Sequence, residues 1–169
     1  MVEAYKKFWQ NALVLEGRTR RKDFWWPLLI NMILLSIVEG VFDYLSKVTG
    51  HFGIVFGLIE CIIAIVINIA LFSLSVRRFH DVGRSKTIPM IMLVISLLSI
   101  VNSIFEMFNF DSIIAINNNI LVGAMEIIAI IFGIFYIALC LICLAYCVQD
   151  SEKGTNQYGL NPKEHMNEV

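Results

Sequence analysis

Residues 52–86 read FGIVFGLIECIIAIVINIALFSLSVRRFHDVGRSK, an apolar run from Phe52 to Val76 whose single charge is Glu60, followed at once by a dense polar cluster. A helix rises 1.5 Å per residue, so this run is long enough to cross a hydrocarbon core of about 30 Å. Three further runs have the same character, at about Trp25 to Leu45, Ile88 to Phe110 and Ile120 to Val148. The last is longer than a crossing needs and is expected to tilt or to project into the cytosol. Lipid cannot hydrogen-bond the backbone, so each run must satisfy its own peptide groups as a helix. The expected fold is an all-α membrane protein of four transmembrane helices in two helical hairpins, with an N-terminal amphipathic interfacial helix. It forms one domain over 1–169, with 1–23 as an interfacial segment and 149–169 as a cytoplasmic tail.

Composition agrees. The chain is 58% hydrophobic and only 16% charged, with a mean hydropathy of +0.75. That is far more apolar than a soluble domain of this size. A net charge of −1 provides no basic excess to neutralise phosphates, so nucleic acid is not an expected partner. No long apolar run begins before Phe24, so the first span is expected to be retained rather than cleaved as a signal peptide. Cys61, Cys140, Cys143 and Cys147 lie inside apolar stretches and read as reduced, packed thiols.

Lys and Arg fix the expected orientation. Lys6, Lys7, Arg18, Arg20, Arg21 and Lys22 precede the first span; Arg77, Arg78, Arg84 and Lys86 separate the second from the third; Lys153 and Lys163 follow the fourth. These are twelve of the thirteen basic residues; Lys47 stands alone on the other side, and the Asp111 to Asn119 loop has none. Both termini are therefore expected in the cytoplasm. Val2 to Leu15 places Val2, Tyr5, Phe8, Trp9, Ala12 and Leu13 at helical spacing. Such a helix either lies on the inner leaflet or packs on the cytoplasmic loops. Trp25 and Trp26 fall at headgroup level, and Pro27 suits the first turn of the next helix. A weak repeat is visible: Gly17-Arg18-Thr19-Arg20 and Gly83-Arg84-Ser85-Lys86 each precede a span, with Glu39 and Glu106 at matching distances beyond them and Glu60 and Glu126 on the returning helices. A duplicated hairpin and coincidence both remain open.

Two polar constellations stand out. Arg77 to Ser85 reads as a short loop pinned between two spans, in which Asp81 can pair with cations and Gly83 can take a positive φ. It is either an anion, lipid or nucleotide-phosphate site or a topology signal with a rigid turn. His80 beside Asp81 lacks the further ligands a metal needs, so neither a metal nor a cofactor is expected. The second constellation is acidic: Glu39, Glu60, Glu106 and Glu126 each interrupt one span at a similar depth, and Asp43 is one turn beyond Glu39. Three readings compete for it: a vestibule for protons or cations, protonated carboxyls joining helices, and carboxylates reaching the outer headgroups. Asn68 and Asn102 are expected to hydrogen-bond between helices.

Three motif blocks carry a resemblance. Gly17-Arg18-Thr19-Arg20-Arg21-Lys22-Asp23-Phe24-Trp25, then Arg77-Arg78-Phe79-His80-Asp81-Val82-Gly83-Arg84-Ser85, then Gly154-Thr155-Asn156-Gln157-Tyr158-Gly159-Leu160-Asn161-Pro162, resemble in order and spacing the bacterial inner-membrane family catalogued as domain of unknown function 805. The resemblance implies a protein of the bacterial cytoplasmic membrane. It singles out Gly17, Arg18, Arg21, Trp25, Arg77, Arg78, His80, Asp81, Gly83, Arg84, Ser85, Asn156, Tyr158, Gly159 and Pro162 as motif positions. After Ser85 the family pattern commonly continues with Gly and Trp; here it reads Lys86-Thr87, without that aromatic anchor.

All three blocks fall on the cytoplasmic side of the expected topology, so they are expected to pack as one polar cap. The tail 154–159 should fold back onto the Arg77 to Ser85 stretch, and Asp81 and Asp150 should pair with arginines. The expected role is a non-enzymatic accessory or lipid- or partner-binding module acting through this cap. Its partners are then the bilayer, anionic headgroups, and a protein partner or second copy. The alternative is a small proton- or cation-coupled transporter or channel using Glu39, Glu60, Glu106 and Glu126. An enzyme acting on lipid headgroups ranks third, because the sequence presents no evident nucleophile.

Overall fold

The structure, a computed structural model, describes residues 1–108 and 119–162. Within them the chain folds as α1 (Val2–Gln10), α2 (Arg21–Thr49), one turn of 3-10 helix (Gly50–Phe52), α3 (Gly53–Asp81), α4 (Thr87–Met107) and α5 (Asn119–Val148). Helices α2 to α5 are each long and apolar enough to cross a membrane. No strand occurs among the described residues, only an isolated bridge between Asn156 and Gly159. Phe110, the 111–118 loop and the tail from Lys163 lie outside the described residues.

Three boundaries differ from the sequence reading, each for a local reason. Arg77 to Asp81, expected as loop, form the last turn of α3. The helix continues because it ends in a complete Schellman motif: Arg84 N–H donates to the Phe79 carbonyl at 2.9 Å, and Gly83 N–H donates to the His80 carbonyl at 3.2 Å. The motif needs a residue with positive φ just past the helix, and Gly83 supplies it at +70°. Helix α2 begins at Arg21, so Pro27 lies in its interior rather than its first turn. Pro27 has no N–H to offer the Asp23 carbonyl one turn back, and its own carbonyl accepts from the Asn31 side-chain amide at 2.8 Å. Helix α1 stops at Gln10 rather than Leu15, because the Asn11 side-chain amide takes the Lys7 carbonyl at 2.8 Å and turns follow.

Most of the apolar surface of α2 to α5 faces outward, as lipid contact requires. Burial concentrates at one end of the bundle, where Phe8 of α1 meets Phe24, Ala70, Leu74, Phe79 and Cys147, with Trp25, Cys143 and Tyr146 packed around them. The four cysteines are free thiols. Helix α5 joins through its last third, from Leu139 to Cys147, whereas none of its residues from 123 to 138 is buried. Asn68 and Ser96 bridge α3 and α4, the Ser96 hydroxyl donating to Oδ1 of the Asn68 side chain at 2.7 Å. Asn102, expected to bridge helices, instead donates to Glu106 one turn along α4 at 2.7 Å.

The two glycines of the repeated tetrapeptides share a backbone conformation. Gly17 and Gly83 have φ of +87° and +70°, and each precedes the start of a long helix, at Arg21 and Thr87. The side chains after them diverge: Arg18 is buried in an ion pair, whereas Arg84 lies over the Tyr146 ring, 5.0 Å from its centroid.

Helix α1 docks by Ala4 and Phe8 and exposes Val2 and Trp9, with Met1 before it and Leu13 after it also exposed. Phe8→Ala should lower the stability of the detergent-solubilised protein by about 3 to 5 kcal/mol, the usual cost of emptying a buried phenylalanine site. It should also make residues 1–16 sensitive to limited proteolysis. Trp9→Ala, at a side chain 39% exposed, should do neither; equal effects would show that α1 is not docked through Phe8.

Candidate functional site

The buried end of the bundle carries a polar cap organised around Asp81. Its carboxylate accepts from Arg18 Nε at 3.0 Å, from Arg78 Nη1 at 2.5 Å and from the Ser151 hydroxyl at 2.6 Å. The side chains of Arg18, Arg78 and Asp81 are all fully shielded from solvent. Two guanidinium groups thus supply the counter-charge of this buried carboxylate, and the Ser151 hydroxyl adds a third donor.

Each guanidinium also reaches backbone carbonyls that a helix end leaves without partners. Arg78 donates to the carbonyls of Cys147 at 3.1 Å and Thr19 at 3.4 Å, and to that of Gln149. Arg21 donates to the Val148 carbonyl at 3.1 Å and to Asp150 at 2.6 Å. Two arginines thus close the C-terminus of α5, where the helix dipole is negative. Arg18 reaches the other way, donating to the carbonyls of Glu152 at 2.6 Å and Gly154 at 2.8 Å.

The end of α3 is closed by the tail in turn. Glu152 N–H donates to the Asp81 carbonyl at 2.8 Å, and the Asn156 amide donates to the His80 carbonyl at 3.0 Å. Tyr158 stacks flat on His80, with ring centroids 3.8 Å apart and planes within 3°. His80 is itself buried, and its Nδ1 has no hydrogen-bond partner among the described residues. Thr19 N–H donates to the Arg77 carbonyl at 3.0 Å, which pins the stretch between α1 and α2 against α3.

The structure therefore brings Gly17, Arg18, Arg21, Arg77, Arg78, His80, Asp81, Asn156, Tyr158 and Gly159 into one assembly. Gly83 borders it beside Glu152. Trp25 belongs to the apolar cluster beneath. Ser85 is exposed and hydrogen-bonds Thr87 at 3.0 Å. Pro162 lines a cleft under α1. Thr19, Ser151 and Glu152 complete the assembly without having stood out as site residues in the sequence; Ser151 and the carbonyl acceptors have no residue-type signature there.

The acidic residues are divided. Glu39, Asp43, Glu60 and Glu106 line one cavity of about 930 Å³ between α2, α3 and α4, at the end remote from the cap. Glu126, expected with them, lies outside its walls on an exposed part of α5. None of the α5 residues from 123 to 138 is buried, and that part of the helix contributes no wall to the cavity.

Asp81→Ala leaves two buried guanidinium groups without a counter-charge and should cost about 3 to 5 kcal/mol of stability. Arg18→Ala should cost less, because Arg78 and Ser151 still hold Asp81. The double variant should fall short of the sum of the two, since both remove one interaction. Thermal unfolding of the purified protein measures all three; unchanged midpoints would show that the clamp does not hold the cap.

Comparison with known proteins places this geometry in a family. The sequence matches the family described as "Protein of unknown function (DUF805)" over residues 12–160, a stretch that includes the whole clamp. It is also similar to the inner membrane protein YhaH of Escherichia coli K12 and its counterpart in strain O157:H7. Each is 30% identical over 84 residues, which cover 48% of this chain and 64% of the relative. The match thus spans less than two thirds of the curated relatives' length. No solved structure matches the chain. With the family profile covering nearly all of the sequence and four membrane-length helices in the fold, the chain belongs to the DUF805 family and is a multi-pass integral protein of the inner membrane.

Proposed function

We propose that this protein is a non-enzymatic membrane component, an accessory module that binds lipid or a protein partner through the polar cap, and that the cap faces the cytoplasm. The observation that supports it best is pre-organisation. Arg18, Arg78 and Asp81 tie the α1–α2 connection, the end of α3 and the tail into one fixed unit. That unit holds α1 with Val2 and Trp9 exposed, flanked by exposed Met1 and Leu13. A rigid amphipathic strip at the membrane boundary loses little entropy on docking. The orientation rests on the basic residues: twelve of thirteen belong to the cap side of the spans, and Lys47 alone to the other. Protease applied to right-side-out spheroplasts should therefore spare a C-terminal epitope tag; its removal would reverse the topology.

A second reading draws on the 930 Å³ cavity lined by Glu39, Asp43, Glu60 and Glu106. Carboxyls grouped within the membrane are costly unless they serve ions, protons or assembly, so a proton- or cation-coupled transporter is the competing function. Liposome reconstitution separates the two. Under the accessory reading, wild type carries no proton or cation flux above that of empty liposomes. Flux in wild type that disappears in the Glu39→Gln, Glu60→Gln, Glu106→Gln variant would establish the transporter instead.

A further inference from the structure

We infer that the cleft beneath α1 binds a phosphate group, with Arg77 as its buried cation. The inference rests on the reading of the cap as a binding module and names the chemistry that module recognises. Arg77 differs from its neighbours. Arg18 and Arg78 share Asp81, and Arg21 has Asp150. Arg77 is only 6% exposed, yet its hydrogen bonds go to neutral oxygens: the Thr19 hydroxyl at 3.3 Å, the Asn11 carbonyl at 2.5 Å and the Val14 carbonyl. Those bonds occupy Nε and Nη1 and leave Nη2 out of the set. Among the described residues no carboxylate lies within ion-pair distance of Arg77. Carbonyl dipoles orient a guanidinium but do not neutralise it, and a buried charge without a counter-charge is expensive.

The same residue lines an open cleft of about 330 Å³ between α1, the Gly17 to Arg20 stretch and the end of α3. That is room for roughly ten waters at liquid density, enough for a phosphate with part of a headgroup. Lys7, Arg18, Arg20 and Arg77 line it against only Glu16 and Asp23, and Asp23 is already paired with Arg20 at 2.8 Å. Arg18 is likewise paired, with Asp81, so the wall keeps Lys7 and Arg77 against Glu16, an excess of positive charge, and Glu16 is exposed. The floor is apolar, from Ala4, Phe8 and Leu74. A cationic wall over an apolar floor, covered by an amphipathic helix, suits the glycerophosphate part of an anionic lipid, and a planar guanidinium is the side chain best fitted to a phosphate. A phosphorylated solute offers the same group without the acyl chains.

The test uses the full chain in phosphatidylcholine nanodiscs, with phosphatidylglycerol or inorganic phosphate as the added probe, read by thermal shift and by native mass spectrometry of retained lipid. Because Arg77 also anchors the α1–α2 connection, the diagnostic variants are at the cleft edge. Lys7→Ala should weaken the response about five-fold and Glu16→Gln should strengthen it, with ligand-free unfolding midpoints equal to wild type. A response to phosphatidylglycerol alone supports the inference and identifies a lipid headgroup. A response reproduced and competed by inorganic phosphate supports it and identifies a soluble phosphate ester. No response to either probe, or one that both variants leave unchanged, overturns it. The accessory reading itself is decided separately by the liposome flux measurement, so the two can fail independently.

Discussion

One carboxylate determines how the polar end of this protein is assembled. Asp81 is carried by the last turn of α3, where the peptide carbonyls point toward any cation that comes near. Two arginines from different parts of the chain converge on it. Their remaining N–H groups then have to find acceptors away from water, and the acceptors available are the carbonyls ending α5 and those of the tail. A buried ion cluster of this kind adds little net free energy, because desolvation offsets most of its attraction. What it does decide is which segments meet: any other arrangement strands a guanidinium in the interior.

The two ends of the bundle are consequently built on different principles. Apolar side chains gain little by leaving lipid for one another, so helix association in the membrane depends on close packing and on polar contacts. At the cap the polar contacts are numerous and the helices converge. Toward the other end they thin to the Asn68–Ser96 bridge, and a cavity opens among α2, α3 and α4. Helix α5 follows the same division: its buried residues, Leu139 and Cys147, lie toward the cap and not near Glu126.

Much of this was legible in the residues. Four apolar runs give four spans, and Arg18, Arg21, Asp81 and Asp150 lie in stretches whose charges were expected to pair. The pairing partners, however, are only half of each arginine's environment. The Cys147, Gln149 and Glu152 carbonyls exist at every residue and leave no trace in sequence. The end of α3 is less legible: Arg77 to Asp81 have a loop-like composition, and although Gly83 is readable as a positive-φ position, nothing in the residue types says that it closes a helix rather than a turn within a loop. Glu126 was grouped with the other glutamates by depth alone, and depth says nothing about which way a loosely packed helix turns its face.

Chain polarity gives the clamp a further meaning. A ribosome releases Arg18 first, then Arg78 and Asp81, and only much later the segment from Cys147 to Gly159 that supplies the remaining acceptors. Until that segment emerges, α2 and α3 sit in the membrane with a closing surface that has nothing to close on. The tail is thus the last of the clamp's own segments to be made, and the clamp can close only once it has docked. A chain that ends before Cys147 would leave Arg18 and Arg78 without the carbonyls of Cys147, Glu152 and Gly154, so these contacts of the cap all depend on the end of the fourth span and the segment made after it.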